Sequence, residues 1–249
     1  ANLLRPDTTM VSVMAVNNEI GSIQPIHDIA VLLEDRPTVS FHVDAVQALA
    51  KVATEVYLPE RVDFASFSSH KFHGLRGVGF VYIKEGKKIT PLLTGGGQEK
   101  EMRSTTENVA GIAATAKALR LSMENQEAFA SKTQQMKEVI RKELANYPDV
   151  TVFSGEDHFA PHILTFGIKG VRGEVVVHAF EEFDIYISTT SACSSKAGKP
   201  AGTLIAMGVD KSIAQTAVRL SLDLENDMSQ DEQFLTKFKL IYEQTQKVR

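Results

Sequence analysis

Cysteine is almost missing from this 249-residue sequence, which contains one, Cys193, and tryptophan is missing altogether. A single cysteine excludes an intramolecular disulfide, so Cys193 is either an inert apolar side chain or a working thiol. The sequence also has no large excess of positive or negative charge, since the formal net charge is −4. Such a balance gives no electrostatic reason to expect direct binding to nucleic acid or to an anionic membrane.

Long apolar segments are also missing from the sequence. No run approaches the length of about 20 apolar residues that a membrane-spanning helix needs, and no basic-then-apolar signal segment stands at the start. The hydrophobic fraction of 43% is enough for a sizeable core, and 249 residues accommodate one large domain or two smaller ones. With its single cysteine, the chain is predicted to be a cytoplasmic protein.

Short apolar runs alternate with helical patterns in the first half of the chain. Strands are predicted at 11–16, 39–43, 64–67 and 79–83, and helical segments at 25–33 and 45–50. This alternation predicts an α/β fold with a largely parallel sheet covered by helices. The polar segment 91–108, which contains three consecutive glycines, is predicted to be a long loop.

The second half has a different order of elements. Helices are predicted at 109–123, 128–146, 173–183 and 231–248, strands at 150–155, 162–168 and 184–189, and two further helices after Cys193. This order predicts a smaller α+β domain. A domain boundary is placed near Glu124, giving domains of residues 1–124 and 125–249.

Polar residues stand where the predicted strands of the first half end. Asn18 follows the first strand, Asp44 and Gln47 follow the second, and Ser68, His70 and Lys71 follow the third. In open α/β sheets, ligands bind outside the carboxyl ends of the strands. We therefore expect these side chains to converge on one ligand.

Pyridoxal phosphate is the ligand that needs this combination of groups. Its aldehyde binds a lysine, its ring nitrogen needs a carboxylate, and its phosphate needs hydroxyl and other donors. Each residue alone has a simpler interpretation: Asp44 as a helix cap, Lys71 as an exposed lysine, and Ser68 as a turn residue. Their occurrence together at successive strand ends favours the cofactor site.

Six motifs occur in order along the chain: VNNEIG, HVDAVQ, SSHKFHG, GGGQEKEMRSTTEN, SACSSKAG and AVRLSL. With them the chain resembles the cysteine desulfurases, in the class V aminotransferase group of pyridoxal phosphate enzymes, over nearly all of its residues. The resemblance implies a fold-type I transferase with an incomplete, mainly parallel sheet. It also implies conversion of L-cysteine to L-alanine.

The resemblance assigns roles to individual residues. Lys71 resembles the lysine that binds the cofactor covalently and moves the substrate α-proton, and Asp44 resembles the partner of the ring nitrogen. Arg219, together with Asn18, resembles the site of the substrate carboxylate, although a surface ion pair is the simpler interpretation of Arg219. The other residues that match cofactor contacts are Asn18, Gln47, Ser68, His70 and Thr106.

Cys193 lies in a serine-rich, flexible-looking segment, ISTTSACSSKAGKPAG, that follows a predicted strand. The resemblance implies that Cys193 attacks the substrate sulfur and becomes a persulfide. The acceptor implied is a sulfur-acceptor protein, either an iron–sulfur scaffold or a tRNA-thiolation enzyme. Family members are homodimers, and Thr106 matches a threonine that reaches the neighbouring subunit's cofactor phosphate, although a helix cap is its simpler interpretation. No metal ion is predicted.

The sequence departs from the family pattern at its start. Family members carry, before the VNNEIG motif, a phosphate-binding turn and a histidine that stacks on the cofactor, and nothing before Asn17 matches either. His42 and His73 stand in the wrong context to replace that histidine, and we expect structural roles for both. Two alternatives therefore remain: an inactive fragment or structural remnant, and a related class V aminotransferase or lyase.

Overall fold

The computed structural model describes residues 2–190 and 202–247, so Cys193 lies outside the described residues. The chain forms two compact units: Ala1–Ala15 with Gln24–Gln126, and Val16–Ile23 with Glu127–Arg249. The predicted domain division at Glu124 stays a prediction. The structure adds that residues 16–23 pack with the second unit.

The first unit contains a four-stranded sheet. Its strands are β1 (Met10–Met14), β2 (Ser40–Asp44), β3 (Phe64–Ser68) and β4 (Gly79–Ile83), in that spatial order. The first three strands are parallel, and β4 is antiparallel to β3. The predicted mainly parallel sheet is therefore confirmed. The unit's helices are α1 (Ile26–Leu32), α2 (Thr54–Tyr57) and α3 (Val109–Glu124), and a 3₁₀ turn at Ser69–Phe72 follows β3.

The two faces of this sheet differ because side chains alternate along each strand. Phe41, Val43 and Ala65 are fully buried on one face. On the other face, the His42 ring lies between two hydroxyls, with Nδ1 2.8 Å from Ser12 Oγ and Nε2 2.7 Å from Ser66 Oγ. These contacts join three strands, which is a structural role for His42.

The predicted helical segment at 45–50 is wrong. Residues 46–50 form hydrogen-bonded turns, in which the Leu49 N–H donates to the Ala45 carbonyl at 3.1 Å. Ala50 then adopts a positive φ of 60°, a left-handed conformation that no helix continues through. The alanines favour a helix locally, but six residues are too few to sustain one without a favourable end.

A buried carboxylate joins distant parts of the first unit. Asp63 accepts hydrogen bonds from the Phe41 N–H at 2.8 Å and from Arg61 at 2.9 Å, and it pairs with Lys87 at 3.1 Å. Burial by itself raises the pKa of Asp63, but these three donors outweigh it and hold the pKa below its ordinary value. Asp63 is therefore ionised and fully paired in the folded protein.

The second unit is built on a four-stranded antiparallel sheet. Its strands are β5 (Val150–Val152), β6 (Ile163–Ile168), β7 (Ser188–Thr189) and β8 (Ala217–Ser221), in the spatial order β5-β6-β8-β7. The helices are α4 (Gln126–Leu144), α5 (Gly173–Glu181), α6 (Gly202–Ala206), α7 (Lys211–Ala214) and α8 (Met228–Lys247). Its core combines aliphatic side chains with four phenylalanines, of which Phe180 and Phe234 stack with ring centroids 5.0 Å apart.

The strand predicted at 184–189 is mostly wrong, because only Ser188–Thr189 pairs with a neighbour. Asp184 has a positive φ of 58°, and the Ile185 N–H still donates to the Phe180 carbonyl of α5 at 3.1 Å. The chain therefore remains tied to the helix end and cannot extend until residue 188. Among the described residues, no helix is long and apolar enough to cross a membrane, and no three metal-ligating side chains cluster together.

Candidate active site

The lysine of the SSHKFHG motif lies on the 3₁₀ turn that continues from β3. Ser69 and Phe72 are buried on this turn, whereas Lys71 is half-buried and His70 is exposed. The two buried side chains anchor the turn, so Lys71 is presented from a fixed backbone at the carboxyl end of a parallel strand. This is the position at which open α/β sheets bind ligands.

Helix α3 holds this turn through hydroxyl groups. Thr115 donates its own proton to the Gly111 carbonyl at 2.7 Å, so Ser69 Oγ must be the donor in the 2.9 Å contact with Thr115 Oγ1. Ser122 Oγ donates to the Phe72 carbonyl at 3.2 Å. The sequence interpretation missed this support, because nothing local in α3 indicates that its hydroxyls face the lysine turn.

Gly74 follows the Lys71 turn at a position where a side chain would collide with Ser69. A Cβ atom at this position would lie 1.8 Å from Ser69 Oγ. We therefore expect Gly74→Ala to displace Ser69 and with it the Lys71 turn, lowering the free energy of unfolding by about 1–3 kcal/mol. Urea unfolding measures this loss. Gly97→Ala is the control, since a Cβ there meets no atom of the described residues within 4 Å. Equal stability of the two variants would contradict the expectation.

Asp44 ends β2 at the same edge of the sheet. It lies opposite Met14 of β1 and Ser66 of β3 in the strand register, and its side chain is on the exposed face. Its Oδ1 atom accepts the Val46 N–H at 3.0 Å and so starts the turn that carries Gln47. The alternative that Asp44 caps a helix is wrong, because residues 45–50 are not helical.

The structure brings part of the predicted cofactor set together at this edge. Ser68 lies on the same face of β3 as Ser66, the register partner of Asp44, and Lys71 follows three residues later. Thr106 stands apart in sequence, in the exposed segment before α3. Thr106 is not the helix cap, because Asn108 is the N-cap and its side chain accepts the Gly111 N–H at 3.0 Å.

The donors at this edge fit pyridoxal phosphate. Among residues 2–190 and 202–247, neither Lys71 nor Asp44 forms an ion pair, so an amine and a carboxylate remain for a ligand. Ser68 and His70 add a hydroxyl and a ring nitrogen next to the lysine. An aldehyde, a basic ring nitrogen and a phosphate are the groups that such a set would bind.

The two predicted substrate residues lie together in the second unit. Arg219 projects from the middle of β8, opposite Thr165 of β6 and Ser188 of β7. One terminal nitrogen of its guanidinium, Nη1, donates to the Asn18 carbonyl at 2.6 Å. This bond joins residues 201 positions apart in the sequence and fixes the guanidinium beside the VNNEIG segment.

The whole VNNEIG segment is clamped in this unit by its carbonyl oxygens. The Glu19 carbonyl accepts from Thr165 Oγ1 at 2.6 Å, and the Ile20 carbonyl accepts from Ser154 Oγ at 2.7 Å. The Gly21 carbonyl accepts the Ala160 N–H at 2.7 Å. With Arg219, four successive carbonyls have donors, so this loop has a rigid backbone.

Side chains of the same segment hold the start of α6. Glu19 Oε2 accepts the Thr203 N–H at 3.1 Å, and Asn17 Nδ2 donates to Thr203 Oγ1 at 3.2 Å. The sequence interpretation gave no role to Asn17 or Glu19. Their partner Thr203 lies 186 and 184 positions away in the sequence, so no local pattern indicates the contact.

Known proteins with similar sequences and structures identify the family. The model of the Aminotransferase class-V family matches residues 1–234. A NifS/IcsS protein homolog of Lactobacillus delbrueckii subsp. bulgaricus is 51% identical over 98% of this chain. Cysteine desulfurase IscS of Clostridium botulinum is 39% identical over 90% of it. A solved NifS-like protein superimposes on 96% of the chain with a TM-score of 0.87 and 36% identity.

The chain spans only part of these relatives. It covers 64% of the Lactobacillus protein, 57% of the Clostridium enzyme and 62% of the NifS-like structure. The match nevertheless extends over nearly all of this chain and includes the strand-end residues and the lysine turn. The chain therefore belongs to the class V aminotransferase family and has the fold of its NifS-like, fold-type I pyridoxal phosphate enzymes.

Proposed function

We propose that this chain carries the catalytic residues of a cysteine desulfurase, which uses pyridoxal phosphate to convert L-cysteine to L-alanine and moves the sulfur to Cys193. The observation that carries the proposal is the pair of Lys71 and Asp44, both without an ion-pair partner among the described residues, at the carboxyl edge of a parallel sheet. The name of the Clostridium relative, a cysteine desulfurase, supports the choice of reaction.

The proposed cofactor contacts are those that the family resemblance implies, and the positions of Asp44, Ser68 and Lys71 at one sheet edge support them. Asp44 holds the proton on the ring nitrogen, and Ser68 and His70 donate to the phosphate. The protonated ring supplies an electron sink for charge that develops at the substrate α-carbon. Lys71 would hold the cofactor through its amine and would move the substrate α-proton as general base and acid. Asn18 and Gln47 contact the phenolic oxygen side of the ring.

Arg219 and Asn18 are proposed to bind the substrate carboxylate. A guanidinium binds a carboxylate through two parallel hydrogen bonds, which fixes the orientation of the substrate as well as its position. The bond from Arg219 to the Asn18 carbonyl supports this role, because it restrains the guanidinium in one place before substrate arrives. Restrained groups lose less entropy on binding.

Cys193 is proposed to take the sulfur. Its thiolate attacks the substrate sulfur, the carbon–sulfur bond breaks with its electron pair returning to the carbon framework, and a proton delivered by Lys71 completes alanine. Cys193 then carries a persulfide. Thr203, ten residues further along the chain, is held by Asn17 and Glu19, which restrains the backbone after this segment.

The later fate of the sulfur and the assembly of the enzyme are also proposals. The acceptor is a protein, either an iron–sulfur scaffold or a tRNA-thiolation enzyme. The enzyme acts as a cytoplasmic homodimer in which Thr106 reaches the cofactor phosphate of the neighbouring subunit. The exposure of Thr106 supports this assignment, because its side chain lies on the surface of its own unit.

Replacement of Cys193 tests the proposed reaction. With pyridoxal phosphate, L-cysteine and a thiol reductant, the wild type should release alanine and sulfide in equal amounts. Cys193→Ser should keep the visible absorbance of the bound cofactor and lose sulfide release by about 100-fold or more, because an alcohol cannot carry the sulfur.

Three results would contradict the proposal. A fully active Cys193→Ser variant would exclude the persulfide. Pyruvate or a transaminated product in place of alanine would favour the related lyase or aminotransferase. A wild type that neither absorbs with the cofactor nor forms alanine would favour the inactive remnant.

A further inference from the structure

A cavity of about 300 Å³ lies within the second unit, among α4, β8, the segment before β7 and the start of α8. Such a volume falls at the small end of the range for ligand pockets. Its lining is about equally apolar and polar. The apolar side includes Met136, Ile140, Ile185, Ile187, Leu220 and Phe234, and the polar side chains are Asp184, Ser221, Asn226, Gln230, Asp231 and Gln233. None of the described residues assigned above to the cofactor or the substrate lines it.

One of the two carboxylates in this lining is buried. Asp231, in the first turn of α8, is 3% exposed and lines the cavity. Its Oδ2 atom has no hydrogen-bond partner among the residues that the structure describes. A buried carboxylate oxygen without a donor is costly, so a protein keeps one only where something else supplies the donor.

Two amides and one cation near Asp231 are engaged elsewhere. Asn226 Nδ2 donates to Gln230 Oε1 at 3.0 Å, and that oxygen also accepts the Asp227 N–H at 3.1 Å, which caps α8. Lys132, whose charge acts on Asp231, donates from Nζ to the Leu224 carbonyl at 2.7 Å. Lys132 therefore has its own acceptor, and these two amides serve the helix end.

The pKa of Asp231 is that of a buried carboxylate whose charge no neighbouring cation fully compensates. Burial, and then the neighbouring Asp227 carboxylate, raise the pKa of Asp231 to about 6, while Lys132 opposes the shift. At neutral pH the group is still mostly ionised. The cavity thus offers a negative charge with little solvent around it, where a hydrogen bond to a cation is stronger than in water.

We propose that this cavity binds a small organic cation, with an ammonium or guanidinium group donating to Asp231 Oδ2 and an apolar body against the isoleucines and Phe234. The apolar side of the lining supports an organic cation, because an apolar body packs there while the charged end reaches Asp231. The proposal is independent of the proposed function, because it needs neither pyridoxal phosphate nor the sulfur chemistry.

Isopentylammonium is a suitable probe, since its branched body and single charge match the walls and the carboxylate. We expect it to bind at one saturable site in calorimetric titration of the whole chain at neutral pH. Isopentanol, with the same body and no charge, should bind about tenfold or more weakly, and ammonium chloride should show no saturable binding.

Two variants that each remove one negative charge locate the site. Asp231→Asn should weaken isopentylammonium binding by about tenfold or more. Asp184→Asn is the matched control, because Asp184 also lines the cavity but is exposed, and its variant should bind as the wild type does. Thermal unfolding without probe should show Asp231→Asn at least as stable as the wild type, since an unpaired buried charge is lost.

The proposal is overturned if the wild type does not bind isopentylammonium, or if Asp231→Asn or isopentanol binds equally well. It is also overturned if a longer form of the protein containing this chain loses the binding, because other residues would then fill the cavity. These measurements do not depend on desulfurase activity. Failure of the cation-binding proposal therefore leaves the proposed function intact, and failure of the proposed function leaves the cation-binding proposal intact.

Discussion

Lys71→Ala is expected to abolish both the visible absorbance of bound pyridoxal phosphate and the turnover of L-cysteine. The lysine is proposed to form the covalent link and to move the α-proton, and loss of the proton transfer alone costs about 10²–10⁴-fold in rate. Borohydride reduction followed by mass spectrometry of peptides gives a readout that needs no turnover. In the wild type, the peptide that contains Lys71 should gain the mass of the phosphopyridoxyl group.

The control for this variant is Lys88→Ala, which removes an exposed lysine from the same unit. It should keep the absorbance, the labelled peptide and the activity. Labelling of a different lysine in the wild type, or undiminished labelling in Lys71→Ala, would show that the side chain at the end of β3 is not the cofactor's partner. Lys71 would then be an ordinary half-buried lysine.

Asp63→Ala is expected to lower the free energy of unfolding by about 3 kcal/mol or more, because it leaves Arg61 and Lys87 without their shared carboxylate. The Phe41 N–H at the start of β2 also loses its acceptor. Urea unfolding measures the loss. Glu124→Gln is the control, since it breaks an exposed ion pair with Arg120 that contributes about 0.5 kcal/mol or less.

The same network predicts a dependence of stability on pH. The pKa of Asp63 is lowered from its ordinary value of 3.8 in the folded protein, so folding favours the ionised form. Its stabilising contribution is complete above pH 3.8 and is lost as the pH falls below that value. The stability difference between the wild type and Asp63→Asn should therefore narrow in acid. A constant difference down to pH 2 would contradict the assignment.

Local pattern was sufficient to predict most elements of the fold. The apolar runs of β1 to β4 predict strands within two residues of their observed ends, and α3 begins at the residue predicted for it. Periodicity works here because each element is long enough to show which face is buried. It failed at 45–50, where alanines favour a helix but Ala50 adopts a left-handed conformation, and at 184–187, where the chain stays tied to α5.

In the candidate site, too, some features were predictable from the sequence and others were not. Asp44, Ser68 and Lys71 were predictable because each stands at the end of a strand, and parallel strands bring their carboxyl ends to one edge. The support behind Lys71 was not, because Ser69 and Thr115 are 46 residues apart and their hydrogen bond depends on how α3 packs. The requirement for glycine at position 74 was not predictable either, because it follows from the position of Ser69 Oγ in the folded turn.

Residue type and local spacing are enough to predict the alternation of strands and helices, the polar residues at the strand ends and the resemblance to one family. Three features follow only from the tertiary structure: VNNEIG packs with the second unit, Arg219 holds the Asn18 carbonyl, and the buried Asp231 has a carboxylate oxygen without a donor among the described residues. These features depend on contacts between residues far apart in the chain, whose positions are fixed by the packing of whole elements and not by any local pattern.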